Sequence, residues 1–139
     1  MLASSSGGVR LSGRGYPQPI AVNHFPLRRL VVTGESMLPT LRPGDRVLVL
    51  GGLGRLRLPL RPGDLVALTD PRDPGRIMVK RLTGFDGRRV TVEGDNQAAS
   101  TDSRHFGSVD AAAVVGRVVY RYHPEARRGR LAGRRSGQR

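Results

Sequence analysis

The chain is predicted to be mainly β, an antiparallel sheet with one or two short helical turns, and three observations predict it. Apolar residues gather in valine- and leucine-rich runs of strand length, Pro-Gly and Asp-Gly pairs punctuate those runs, and helical stretches are confined to single turns. At 139 residues the chain is one domain, large enough to bury a core. Aromatics are scarce and tryptophan is absent, so valine and leucine must build that core.

The elements follow in order. Residues 1–27 are rich in Ser, Gly and Pro without periodicity and read as a flexible N-terminal arm. A first strand is expected over Leu30–Thr33 and a helical turn over Met37–Leu41. Then one phrase occurs twice, Leu41-Arg42-Pro43-Gly44-Asp45 and Leu60-Arg61-Pro62-Gly63-Asp64. Proline fixes φ and glycine accepts φ > 0, so each copy reads as a type II turn feeding a strand, Val47–Leu50 and Leu65–Leu68. Asp73-Pro74-Gly75 should turn the chain into a strand over Arg76–Gly84, and Asp86-Gly87 should turn it again into Arg88–Glu93. A second helical turn near Val109–Ala113 precedes a last strand, Val114–Tyr120. The folded domain is expected over residues 28–123, with 124–139 a basic, disordered tail.

Composition removes several function classes. With no cysteine there are no disulfides, thiolate metal sites or cysteine nucleophile, and His24, His105 and His123 lack metal-ligand spacing. No metal or other cofactor is therefore expected. No window approaches the ~18–20 apolar residues of a membrane span, and the N-terminus lacks the basic start and apolar stretch of a secretory signal. A cytoplasmic location is expected. The formal charge of +13 suits an anionic neighbour, whether nucleic acid, a lipid surface or an acidic partner, or else a solvated arginine surface in a GC-rich genome. No interleaved aromatics or reading motif point to specific nucleic-acid binding.

Of the 24 Lys and Arg residues all but one are arginine, and the exception is Lys80. Arginine stays protonated, whereas a lysine in apolar surroundings can lose its proton and act as a base. On a strand Met78, Lys80 and Leu82 share a face, so the amine has apolar neighbours on both sides. The alternative is a lysine whose stem covers apolar surface while its head reaches water. Upstream, Gly34-Glu35-Ser36-Met37-Leu38-Pro39-Thr40 offers a serine that either caps a helical turn or serves as a nucleophile. A nucleophile at the start of a turn places its own backbone N–H near a developing oxyanion, and Gly34 lets a substrate approach. Glu35 either meets a basic group of the substrate or faces water. A third segment, Val92 to Gly107, is dense in side chains that bond to backbone. In it Asp102 and Arg104 could pair, and Ser100 could hold an amine.

Taken together, Gly34-Glu-Ser36-Met37-Leu-Pro39-Thr40-Leu41, Gly44-Asp45-Arg-Val47, Gly63-Asp64-Leu-Val66, Lys80-Arg81-Leu-Thr-Gly84 and Gly94-Asp95-Asn96 through Ser100-Thr-Asp102-Ser103-Arg104 to Gly107-Ser-Val109 resemble the ordered motifs of type I signal peptidases. The resemblance covers about residues 29–120. It implies a signal-peptidase-like catalytic β-domain with a Ser-Lys dyad, Ser36 as nucleophile and Lys80 as general base. It further implies Ser100 as the residue orienting the lysine and Asp102 and Arg104 as a supporting salt bridge. Gly34 and Met37 fall at the oxyanion and substrate-binding positions.

The sequence departs from that pattern in having no N-terminal span and in carrying Phe85-Asp86-Gly87 where Leu-Pro-Gly-Asp is usual. The short, anchorless form is most similar to the nickel-type superoxide dismutase maturation proteases. The implied function is a serine endopeptidase that removes an N-terminal leader from a precursor protein, that of nickel-containing superoxide dismutase above all. The alternatives are signal-peptide cleavage with the basic surface in peripheral contact with a membrane, and a basic nucleic-acid-binding module without catalysis.

Overall fold

A computed structural model describes residues 27–51 and 60–133. The N-terminal arm, apart from Leu27, and the last six residues of the expected tail lie outside the described residues. The valine and leucine runs form β1 (Leu27–Val31), β2 (Arg46–Leu50), β3 (Leu65–Asp70), β4 (Asp73–Asp86), β5 (Arg89–Glu93), β6 (Val109–Asp110), β7 (Val114–His123) and β8 (Gly129–Arg130). All pair antiparallel in one eight-stranded sheet, in the order β1-β2-β7-β3-β4-β5-β6, with β8 added to β7. The mainly β architecture is the one the sequence predicts. Helix amounts to α1 (Ser103–Phe106) and three single 3-10 turns, one of them at Ala111–Ala113.

Both Arg-Pro-Gly-Asp phrases are turns of one geometry. Gly44 sits at φ 94 and Gly63 at φ 104, a region closed to most side chains. Asp45 N–H donates to Arg42 O and Asp64 N–H to Arg61 O, each at 3.0 Å. Each aspartate carboxylate in turn accepts the arginine N–H at 2.9 Å.

Two expectations are corrected. The turn into β4 lies at Pro71–Arg72, and Asp73-Pro74-Gly75 already belongs to the strand. The buried Asp70 carboxylate closes that turn by accepting Arg72 N–H at 2.8 Å and two guanidinium hydrogen bonds at 2.9 Å. The second concerns residues 124–133, which are folded: Glu125–Arg127 forms a 3-10 turn and β8 pairs with Tyr120 and Arg121 of β7. Arg127 there reaches the buried carboxylate of Asp45, so a basic residue of the supposed tail neutralises a core acid.

Two apolar clusters make the core. One joins Val32, Met37, Leu41, Val47, Val49, Leu65, Ala67 and Val118, and the other Val66, Leu68, Met78, Leu82, Val90, Val92 and Val109. Successive β3 residues enter different clusters, so this strand is buried on both faces, as its unbroken apolar run demands. Two strand edges stay unpaired within the described sheet. β1 bonds only to β2, and β4 before Arg81 bonds only to β3 because β5 joins it from Arg81 onward. Between those edges lies the site.

Candidate active site

Val32 ends β1 by exchanging hydrogen bonds with the first Pro-Gly turn, donating to Asp45 O and accepting from Gly44 N–H, both at 2.8 Å. Gly34 then takes φ 78 and redirects the chain. No regular helix follows; Met37 to Leu41 is a single turn closed by Leu41 N–H to Met37 O at 3.0 Å. Met37 and Leu41 are buried in the first cluster and pin that turn from below. Met37 is thus an anchor of the core that also lines the cleft. Ser36, half-buried, is left at the lip with its carbonyl accepting Asn96 N–H at 2.8 Å. Its own N–H has no partner among the described residues.

Opposite stands Lys80 on β4, 4% exposed, between the buried Met78 and Leu82 that share its strand face. Its Nζ donates to Ser100 Oγ at 3.0 Å, and Ser100 Oγ donates onward to Asp102 Oδ2 at 2.7 Å. Asp102 is fully buried and caps α1. It accepts two guanidinium hydrogen bonds from Arg104, each 2.9 Å, and Gly94 N–H at 2.8 Å. The structure therefore joins Lys80, Ser100, Asp102 and Arg104 in one chain.

Burial holds the Lys80 ammonium below the usual lysine range; the nearby Asp102 opposes this, and the Arg72 and Arg76 charges add to it. For Asp102 burial alone would raise the carboxyl, but the hydrogen bonds from Arg104, Ser100 and Gly94 win and hold it far below the carboxylate range.

Ser36, Gly34, Met37 and Lys80 line one cleft of about 250 Å³. Lys80 bonds to Ser100, and no hydrogen bond joins it to Ser36 among the described residues. Ser100, Asp102 and Arg104 stand behind the cleft wall, which Ala99 and Thr101 form on that side.

A second charged bridge has no expected role in the sequence. Asp95 accepts Arg81 Nε at 3.1 Å and Nη2 at 2.5 Å, and also the Thr40 hydroxyl at 2.5 Å. Arg81 Nη1 donates to Gly63 O at 2.9 Å. A buried arginine next to Lys80 thus ties the serine turn, through Thr40, to the lysine strand. The signal was visible: Arg81 directly follows the lysine, and Gly94-Asp95-Asn96 concentrates polar groups that need partners. Gly94 is also required by space, since a Cβ there would collide with Ser100 Oγ and the Ser36 carbonyl oxygen. Among the described residues no cluster of three His, Cys, Asp or Glu could hold a metal ion.

The family described as "Signal peptidase, peptidase S26" matches residues 19–94 and 90–123. The chain is 35% identical over 115 residues to mitochondrial ATP-independent inner membrane protease subunit 1a of Arabidopsis thaliana, covering 67% of this chain and 68% of that one. Subunit 1b of the same plant is 32% identical over 114 residues, 66% of this chain and 67% of the relative. Mitochondrial inner membrane protease subunit 1 of Mus musculus is 28% identical over 130 residues, 79% and 78% of the two chains. The expectation of a cytoplasmic location is overturned by these relatives, whose names set them at a mitochondrial inner membrane. No helix among the described residues is long and apolar enough to cross a membrane. The chain belongs to the signal peptidase S26 family and is a serine peptidase.

Proposed function

We propose that this member of the signal peptidase family is a Ser-Lys endopeptidase that removes an N-terminal leader from a precursor protein at a membrane surface. The observation that carries the reading is the relay Lys80–Ser100–Asp102–Arg104, buried from the lysine to the aspartate, behind a cleft that Ser36 also lines.

Each residue has a task that follows from donor and acceptor counting. The Ser100 hydroxyl spends its proton on Asp102, so its oxygen can only accept from the amine. Neutral Lys80 gives one N–H to Ser100 and keeps its lone pair for the Ser36 proton. Burial supports that neutral state. Ser36 Oγ then attacks the scissile carbonyl, the lysine passes the proton to the leaving amine, and water releases the acyl-enzyme. The Ser36 N–H, without a partner among the described residues, is the oxyanion donor, with Gly34 leaving the approach open. The peptide would bind extended, adding a strand in the cleft between the unpaired edges of β1 and β4.

The names of the relatives favour a cut made beside a membrane. Trimming of a nickel superoxide dismutase precursor is the narrower alternative and rests on the arginine-rich composition alone. Both precursors go into one assay. Each is incubated with purified protein, with and without anionic vesicles, and its N-terminus is followed by mass spectrometry. Loss of a leader that stops in Ser36→Ala and Lys80→Ala is expected; continued trimming by either variant would end the assignment.

A further inference from the structure

Two arginines stand on the cleft wall upstream of Lys80, and their guanidinium groups differ in what they already hold. Arg72 is committed: it makes two hydrogen bonds to the buried Asp70 at 2.9 Å and lies over the Phe106 ring at 5.6 Å. Those bonds use both Asp70 oxygens. Arg76 approaches Asp70 only at 3.7 Å, beyond hydrogen-bond reach, with its side chain 59% exposed. No hydrogen bond leaves its guanidinium among the described residues. The nearby Asp73 carboxylate accepts Gly75 N–H at 3.1 Å. Glu35 lines the same cleft beside Ser36, on the opposite wall from Arg76. Arg76 therefore offers spare planar donors to the cleft.

We propose that Arg76 reads an acidic side chain of the bound peptide about four residues from the scissile bond, a specificity that rests on the peptidase reading above. The distance follows from the strand. Arg76 precedes Lys80 by four places, just before the regular β3 pairing that begins at Ile77, so at most roughly 13 Å of chain separates them, and a peptide added to that edge advances at a similar pitch. A guanidinium offers a carboxylate two parallel hydrogen bonds, which a neutral amide or a cation cannot match. Arg72 takes the close hydrogen bonds of Asp70, which leaves Arg76 only a long ion pair with it at 3.7 Å.

The test uses the full chain carrying Ser36→Ala and labelled short peptides with alanine around a central bond. Asp, Asn or Lys is moved one place at a time, about two to six residues to either side. Asp near the fourth place on one side is expected to bind roughly 5-fold tighter than Asn there at low salt, and the preference should fade by about 0.5 M salt. In Arg76→Gln the ratio falls to about 1, and in Arg76→Glu it inverts in favour of Lys, which a misfolded variant could not produce. A flat Asp-to-Asn ratio along the peptide, a preference that survives Arg76→Gln, or no measurable binding at any place overturns the proposal. The peptidase reading stands or falls separately, on whether the chain with Ser36 intact cleaves what the Ser36→Ala chain does not.

Discussion

Two turns of identical sequence, Arg42-Pro43-Gly44-Asp45 and Arg61-Pro62-Gly63-Asp64, hold the two halves of the site. Each clamps one strand by a reciprocal pair of hydrogen bonds. The first exchanges them with Val32, four residues before Ser36, and the second with Leu82, two residues after Lys80. Locally they match, down to the carboxylate-to-backbone bond of 2.9 Å. They part in what surrounds the aspartate. Asp45 is 1% exposed and pairs with Arg127 and, at 3.4 Å, Arg121, whose Nη1 also donates to Thr40 O in the serine turn. Asp64 is 9% exposed and has Arg117 at 3.9 Å. Four residues therefore set a turn's shape, while distant arginines decide how much the fold depends on it.

The largest effect expected is at Asp45. Asp45→Asn removes the partner of two arginines in a mostly buried site and should destabilise the protein by about 2–3 kcal/mol. Denaturant unfolding measures it, and a loss no larger than that of Asp64→Asn would break the comparison. Next come Gly44→Ala and Gly63→Ala. Both positions have positive φ, and at Gly44 the missing Cβ would meet open space, so each should cost about 1–2 kcal/mol, and the shared turn geometry makes the two losses equal. Unequal losses would show that the turns are not locally equivalent. Asp64→Asn is smaller, about 1 kcal/mol, because its arginine pair is long and partly exposed.

Acid stability separates the relay from the turns. The Asp102 carboxyl is held below its unfolded value, so its contribution is complete above the ordinary carboxylate range near ~3.9 and is lost as pH falls below it. Asp102→Asn should flatten that part of the stability profile. An unchanged acid limb would contradict the hydrogen-bond account of Asp102.

Much of this was readable in the chain. Valine and leucine runs located six of the strands, because strand burial needs continuous or alternating apolar residues. Pro-Gly located both turns, because few other pairs supply their φ values. The two-residue strands β6 and β8 gave no signal, being pairings made by neighbours and not by their own composition. Helix α1 escaped notice although Asp102 and His105 have capping-box spacing, which four residues without an apolar stripe did not reinforce. At the site, Lys80, Ser100, Asp102 and Arg104 were expected together and are found bonded in that order. The Thr40–Asp95–Arg81 bridge needed coordinates, since partners 55 and 14 residues apart leave no periodic trace. The order of residues 124–133 was hidden for a similar reason. A basic, glycine-containing stretch looks solvated until a buried acid elsewhere is known to need it.

The central claim is a neutral Lys80 amine acting on Ser36, and the pH dependence of leader cleavage tests it most directly. Cleavage by the native chain should rise with pH through a midpoint below the ordinary lysine value of ~10.4, and Lys80→Ala should abolish the rise together with the activity. A midpoint at the ordinary lysine value, or the same profile surviving in Lys80→Ala, would contradict it.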